Sequence, residues 1–229
     1  PIFQRQDHNG GYNNPNLYPF SQMNETDHRL VRAAYWAMID LIDAQVGRML
    51  DALERSGQAE NTLVIFMSDH GEMLGDRGIY LKGPYFYEPA IHVPLIVAGP
   101  GIPAARESSA LVELTDLAPT LLDAAGLERY AGMQGRSLWP LLTGAAPLDN
   151  FREDVYCEFY NALSGHKEPQ AHATCVRTAQ HKLAVYHRIG AGEIYDLAAD
   201  PGEVVNRWDD PDYAGVKTEM LVRLCDRMA

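Results

Sequence analysis

The chain has 229 residues, a hydrophobic content of 46% and a formal net charge of −12. This length suits one good-sized globular domain, or a domain with an appendage, whose core needs no disulfides. The acidic balance excludes a basic nucleic-acid surface, and no apolar run is long enough to span a bilayer. We therefore expect neither nucleic acid nor a membrane as a partner.

The first part of the chain predicts a loop followed by a long helix. Residues 1–25 are rich in Asn, Gly, Pro and Tyr, which is loop composition. Residues 27–55 predict an amphipathic helix that ends before Gly57. Its apolar residues recur at steps of three and four: Val31, Ala34, Tyr35, Met38, Leu41, Ile42, Val46, Met49, Leu50 and Leu53.

Two short apolar runs follow, 61–67 (NTLVIFM) and 93–99 (VPLIVAG). Continuous runs of this kind favour strands covered on both faces, as in a parallel sheet. A helix is predicted next in 116–126 (DLAPTLLDAAG), with Asp116 as its N-cap and Pro119 in its first turn. Alternation of helix and strand indicates an α/β fold.

The pattern changes near residues 145–150. Four short strand-like segments, DVYCEFY, ATCVRT, HKLAVYH and GEIYDL, are separated by turn-rich stretches and predict an antiparallel meander. A last helix is predicted over 212–228. We therefore expect an α/β part in 1–147 and a small antiparallel sheet with a helix in 148–229. The cysteines, Cys157, Cys175 and Cys225, are odd in number and form no Cys-x-x-Cys pair, so they are interpreted as reduced thiols.

Asp69 and His70 are the strongest candidates for a functional site, because they come directly after the first predicted strand. Ligands in open α/β sheets bind beyond the carboxyl ends of the strands, and Gly71 would let the backbone turn sharply there. A carboxylate and an imidazole can hold a divalent cation. Such a pair is, however, more often a helix cap or a hydrogen-bonded pair than a metal site.

Lys82 lies twelve residues after His70 and favours the site interpretation. A lysine beside a metal can neutralise the charge of a leaving group, although a single lysine is by default an ordinary solvated one. Arg77 and His92 are weaker candidates of the same kind. Glu72 and Asp76 are interpreted as solvated loop acids.

Five blocks of the sequence, taken in order, resemble the sulfatase family of the alkaline phosphatase superfamily. The main block is NTLVIFMSDHGEMLGDRGIYLKGPYFYEPAIHVPLIVAGPG at 61–101. The others are AAYWAMIDLIDAQVGRMLDAL, ELTDLAPTLLDAAGL, GRSLWPLL and EIYDLAADPGEVVN, so the resemblance covers about 29–210. It implies an alkaline-phosphatase-like, mostly parallel sheet with flanking helices, followed by the small antiparallel sheet and helix.

The resemblance also implies roles for three residues. Asp69 matches the metal-binding aspartate of the family, and His70 takes the adjacent ligand position, where calcium-bearing sulfatases often have Asn. Lys82 matches the lysine that contacts the sulfate and stabilises the leaving oxygen. Ca²⁺ is the first choice of metal, with Mn²⁺, Mg²⁺ and Zn²⁺ as alternatives. His92 stands where relatives commonly have Arg and Arg77 where many have His, so neither receives a role.

The family's nucleophile is a formylglycine made from a Cys-x-Pro-x-Arg or Ser-x-Pro-x-Arg motif, and this sequence contains neither. The paired N-terminal aspartates are missing too, and the neighbours of His8 do not match those of the family's upstream histidine. Because the chain begins with Pro1 rather than Met, we expect it to be the C-terminal part of a longer sulfatase, partnered by the N-terminal part of the same protein. That part would carry the formylglycine, and the present chain alone would be incomplete and inactive.

The predicted function is metal-dependent hydrolysis of small-molecule sulfate esters. The alternatives are a phosphonate monoester or phosphodiester hydrolase of the same superfamily, or a non-catalytic fragment. The oligomeric state, the identity of the substrate and the choice between cytoplasm and periplasm stay open, since any export signal would precede Pro1.

Overall fold

The computed structural model describes residues 22–149, 151–160 and 172–229. Contacts between residues divide this part of the chain into two compact units, 22–104 and 105–229. The predicted domain boundary between residues 147 and 148 is not tested by this division and stays a prediction. Most of the predicted N-terminal loop lies outside the described residues.

The first unit begins with a long helix, α1 (Glu25–Arg55). The Asn24 side chain caps it by accepting from the backbone N–H groups of Thr26 and Asp27 at 2.8 and 3.2 Å. The Asp27 carboxylate accepts from the Asn24 N–H at 2.9 Å, which completes a capping box. The helix therefore starts two residues before the predicted position, and Gly57 follows its end with a left-handed φ of 69°.

Two four-residue strands, β1 (Val64–Met67) and β2 (Leu95–Ala98), form a sheet in the first unit. They pair antiparallel, with Val64 opposite Ala98 and Met67 opposite Leu95. The prediction of two strands is confirmed, but the parallel arrangement is wrong for this pair. A one-turn helix, α2 (Glu88–Ile91), precedes β2 and was not predicted.

Much of the apolar surface of this unit is open to solvent. No residue of α1 is buried, although its apolar period predicted a core-facing stripe. Trp36, Leu41 and Met49 are exposed by 65%, 62% and 62%. The sheet has the same character, since Phe66 and Ile96 are exposed by 39% and 61%. A two-stranded sheet of this kind is only marginally stable by itself.

The second unit starts with two short helices, α3 (Leu117–Ala124) and α4 (Trp139–Leu142). Pro119 lies in the first turn of α3, and Gly126 follows its end with a φ of 67°, as predicted. Asp116 occupies the N-cap position, but its side chain makes no cap hydrogen bond to α3. It accepts instead from the backbone N–H groups of Glu113 and Arg136 at 2.7 and 2.8 Å.

A four-stranded antiparallel sheet follows in the order β3 (Asp154–Tyr160), β4 (His172–Thr178), β5 (His181–Tyr186) and β6 (Ala191–Asp196). The predicted meander is thus confirmed, as is the terminal helix, α5 (Ala214–Met228). Helix α5 packs on one face of the sheet through a buried core of Val176, Leu183, Ile194, Met220 and Leu224.

Four 3₁₀ turns complete the described elements: Ala59–Asn61, Asp76–Gly78, Leu114–Asp116 and Pro211–Tyr213. Among the helices described, none combines the length and hydropathy that crossing a bilayer requires.

Candidate active site

The candidate site is a turn that leaves the end of β1. The Ser68 hydroxyl donates to the carbonyl oxygen of His70 at 2.7 Å, which closes the turn. The backbone N–H of His70 donates to Oδ1 of Asp69 at 3.0 Å and fixes that carboxylate beside the imidazole. The turn therefore sets Asp69 and His70 side by side at the carboxyl end of a strand, as predicted.

The contacts of His70 determine which of its nitrogens can bind a ligand. Nδ1 lies 2.9 Å from the carbonyl oxygen of Gly71. A carbonyl only accepts, so in neutral His70 the proton is on Nδ1 and Nε2 carries a lone pair. Nε2 lies 3.5 Å from Oδ2 of Asp69, and the side chains are 42% and 80% exposed, respectively. With neutral His70 these atoms are two acceptors, and a cation between them would remove their repulsion, so the pair fits a divalent metal ion; with protonated His70 the same contact is an ion pair.

Gly71 is needed for a different reason from the one the sequence suggested. Its φ is not in the left-handed region. A Cβ at this position would lie 1.8 Å from the carbonyl oxygen of Pro89. The backbone N–H groups of Gly71 and Glu72 donate to the carbonyls of Ala90 and Pro89 at 2.8 and 3.1 Å. Only glycine permits this close approach of two backbone segments.

Glu72 shapes the loop that carries Lys82. Its Oε1 accepts from the backbone N–H groups of Leu74 and Leu81. The N–H of Met73 also donates to the carbonyl of Leu81 at 3.0 Å, so the two ends of the loop are joined next to Lys82. The interpretation of Glu72 as a solvated loop acid is wrong, because its carboxylate binds the backbone. The sequence gives no signal for this role, because the two N–H groups that Glu72 binds belong to residues two and nine positions later in a loop.

The loop is anchored by buried side chains and by α1. Met73, Ile79 and Tyr80 are at most 1% exposed. Nδ1 of His28, on α1, lies 2.6 Å from the hydroxyl of Tyr80, and Arg32 donates to the carbonyl of Leu74 at 3.1 Å. These contacts hold the half-buried Lys82 on a fixed framework rather than on a loose loop.

The charges of the three candidate residues act on one another. The pKa of Asp69 is lowered from 3.8, first by the backbone hydrogen bond from His70, then by the charge of His70 and, to a smaller extent, by that of Lys82. The contribution of Lys82 is the smallest of these, and the Asp69 side chain is 80% exposed. The structure brings Asp69 and His70 into contact, while Lys82 acts on Asp69 through its charge.

The weaker candidates have other contacts. Nδ1 of His92 lies 3.2 Å from a carboxylate oxygen of Glu88, and its side chain is 76% exposed. The guanidinium of Arg77 lies over the ring of Tyr87, 4.3 Å from its centre. Asp76 is exposed, as predicted, and lies 3.8 Å from Arg32. His8 falls outside the described residues.

The described residues do not assemble a complete metal site. In 22–149, 151–160 and 172–229, no three His, Cys, Asp or Glu side chains form a cluster that could hold an ion. Asp69 and His70 thus offer two ligands of a larger set, which leaves the assignment of Asp69, His70 and Lys82 a prediction.

Two family models match the chain. One, described as sulfatase, covers residues 3–127, and the other, described as N-sulphoglucosamine sulphohydrolase, C-terminal, covers residues 75–229. The chain belongs to the sulfatase family, and the predicted resemblance is confirmed.

Curated relatives agree with this assignment. An N-acetylglucosamine-6-O-sulfatase of Bacteroides thetaiotaomicron is 36% identical over 191 residues, which are 82% of this chain and 34% of the relative. A choline-sulfatase of Rhizobium meliloti is 34% identical over 197 residues, 85% of this chain and 36% of the relative. The chain therefore spans about a third of the length of these relatives, which are sulfuric ester hydrolases.

A solved structure confirms the fold class. The phosphonate monoester hydrolase of Agrobacterium radiobacter superposes with a TM-score of 0.82 at 32% identity, over 91% of this chain and 43% of that one. The chain thus has an α/β fold of the sulfatase and alkaline phosphatase type. The similarity includes a hydrolase of phosphonate esters as well as sulfatases.

Proposed function

We propose that this chain supplies part of the active site of an enzyme that hydrolyses small-molecule sulfate esters with a divalent metal ion. The observation that carries the proposal is the 3.5 Å approach of His70 Nε2 to the Asp69 carboxylate, with the Lys82 ammonium near enough to lower the pKa of Asp69. Membership of the sulfatase family supports the reaction type.

Each of the three residues has a distinct task in this proposal. Asp69 and His70 hold the cation through a carboxylate oxygen and Nε2, while the Gly71 carbonyl fixes the orientation of the imidazole. When bound, the cation supplies Lewis-acid polarisation of the ester. Lys82 places a positive charge where the leaving oxygen becomes negative, an effect worth about 3 kcal/mol for one well-placed group. Ca²⁺ is the first choice because of the family resemblance and because hard cations favour oxygen ligands such as Asp69, while the His70 nitrogen makes Mn²⁺, Mg²⁺ or Zn²⁺ alternatives.

The remaining parts of the site belong, in this proposal, to the N-terminal part of the same polypeptide. That part would provide the formylglycine nucleophile and the other metal ligands. The proposal is supported by the length of the relatives, since the chain spans 34% of the first of them. It is also supported by the open apolar faces of α1 and of the β1–β2 sheet, which a further segment would cover.

A phosphonate monoester or phosphodiester hydrolase is the second candidate function. It is favoured by the TM-score of 0.82 with the phosphonate monoester hydrolase of Agrobacterium radiobacter. Both reactions need a cation and a group that neutralises a leaving oxygen, so the present residues suit either.

Assays of the intact polypeptide separate these functions. We expect the value of kcat/KM for an aryl sulfate to exceed that for the matching aryl phosphonate monoester, and chelation of the metal to abolish both activities. A larger value for the phosphonate would replace the first function by the second. An inactive intact protein that also binds no metal would show that it is not an enzyme of either kind.

A further inference from the structure

Two of the three cysteines face each other across neighbouring strands. Cys157 on β3 is paired directly with Cys175 on β4 in the antiparallel register. Eighteen positions separate them in the sequence, so no local motif reveals the pair. Directly opposed residues in an antiparallel ladder point to the same face of the sheet, which brings the two thiols together.

The backbone geometry at this pair suits a disulfide. Opposed residues of antiparallel strands have Cα atoms about 4.5 or 5.5 Å apart, according to the type of pair. Disulfides in proteins span Cα separations of about 4.4–6.8 Å, so the separation typical of either type of pair lies within this range. The residue opposite Cys175 on its other side is Ala184, which has a small side chain.

The two thiols differ in access. Cys157 is half-buried on β3, which is an edge strand of the four-stranded sheet, whereas Cys175 has no exposed surface on the inner strand β4. The neighbouring Val176 belongs to the core under α5, so the cysteine pair points to the opposite face of the sheet. A small reagent therefore reaches Cys157 first, and Cys175 is then the nearest thiol to it.

We propose that Cys157 and Cys175 form a reversible cross-strand disulfide when a low-molecular-weight disulfide is present. The Cys157 thiolate attacks one sulfur of the reagent, forms a mixed disulfide and releases one small thiolate. The Cys175 thiolate then attacks Sγ of Cys157 and releases the second. Two protein thiols are oxidised, one small disulfide is reduced to two thiols, and the two protons pass to the released thiolates.

Peptide mapping tests the proposal, because trypsin places the cysteines in three different peptides: 153–167, 168–177 and 224–227. The folded chain is incubated with oxidised glutathione, alkylated and digested without reduction. We expect a cross-linked 153–167 and 168–177 pair that dithiothreitol reverses, and a melting temperature several degrees higher than that of the reduced protein.

Cys225 provides the matched control, since it is an exposed thiol on α5. The cross-link should persist in Cys225→Ser and disappear in Cys157→Ser, in which the buried Cys175 is unchanged. The reduced Cys157→Ser protein should have the circular dichroism spectrum of the folded chain. If folded wild-type protein gives only a glutathione adduct at Cys225, or forms the cross-link only in denaturant, the proposal is wrong.

Discussion

A guanidinium nitrogen of Arg152 donates to Oδ1 of Asp116 at 2.6 Å, and both side chains are almost completely buried, with 3% and 0% exposed. A second nitrogen of the same guanidinium lies 2.8 Å from Glu113. Asp116 also accepts backbone hydrogen bonds from Glu113 and Arg136, so it joins the start of α3 to the segments that carry Arg136 and Arg152.

We expect Asp116→Ala to lower the free energy of unfolding by about 3–5 kcal/mol, because it removes one of the two carboxylates that pair with the buried Arg152 charge and leaves the N–H groups of Glu113 and Arg136 without their acceptor. Chemical denaturation of the chain measures this. Glu128→Gln, an exposed substitution in the same unit, should change the free energy little. If Asp116→Ala lowered the free energy of unfolding no more than this control does, the ion pair would not contribute to stability.

The stability of the second unit should fall in acid because of Glu113. Burial opposes ionisation of this carboxylate, but the hydrogen bond from the Tyr156 N–H and the charges of Arg152 and Arg227 outweigh it and lower its pKa from 4.5. A lowered pKa gives a stabilisation that is complete above the unfolded value and is lost as the pH falls through the folded value. The loss should therefore occur below about pH 4.5.

Thermal unfolding measured between pH 7 and pH 3 tests this expectation. Glu113→Gln should lower the melting temperature at pH 7 and flatten its dependence on pH. With Glu128→Gln as the reference, an equally steep acid dependence in Glu113→Gln would assign the acid sensitivity to other carboxylates.

Removal of a proposed ligand should remove the metal. In the intact polypeptide, we expect Asp69→Ala to abolish stoichiometric binding of a divalent ion, since a charged ligand is lost. Elemental analysis and calorimetric titration with Ca²⁺ measure the effect. Asp76→Asn, an exposed acid of the same loop, is the control, and normal metal content in Asp69→Ala would contradict the assignment.

The identity of the metal can be tested at the neighbouring position. We expect His70→Asn to keep or strengthen Ca²⁺ binding and to weaken Zn²⁺ binding, because it replaces an imidazole nitrogen with an amide oxygen. Competition between the two ions in the intact polypeptide measures the preference. An unchanged ratio of affinities would show that His70 is not a ligand.

Lys82 should affect the departure of the leaving group more than the binding of substrate. In a series of aryl sulfates, we expect Lys82→Ala to lower kcat most for the poorest leaving groups, because these develop the most negative charge. Arg29→Ala, an exposed cation on α1, serves as the control. Equal losses of rate across the series would limit Lys82 to binding.

The parts of the fold set by local pattern could be predicted from the sequence. The apolar period before Gly57 located α1, and four short β-rich segments located the meander of the second unit. The direction of β2 relative to β1 could not be predicted, because a continuously apolar run fits either pairing. Exposure of α1 was unexpected for a related reason, since periodicity identifies an apolar face without identifying what covers it.

The candidate site shows the same division. Asp69, His70 and Lys82 are visible in the sequence because they follow a strand and match a family block. The backbone contacts of Glu72 and the approach of Cys157 to Cys175 depend on long-range register, which no single sequence reveals. Asp116 is an intermediate case. Its position before α3 could be predicted from the sequence, but its hydrogen bond with Arg152, 36 residues away, could not.

The lack of a side chain at Gly71 lets the turn that carries Asp69 and His70 pack directly against the backbone at Pro89 and Ala90, so a change in one segment displaces the other. A methyl group there would act as a wedge, because the Pro89 carbonyl already occupies its place. Pushing the segments apart would tilt the His70 imidazole, because its Nδ1–H donates to the Gly71 carbonyl. It would also weaken the hydrogen bonds from the N–H groups of Gly71 and Glu72 to the segment that precedes β2. Even the smallest enlargement of this residue would therefore misalign the ligand-bearing turn without touching either ligand.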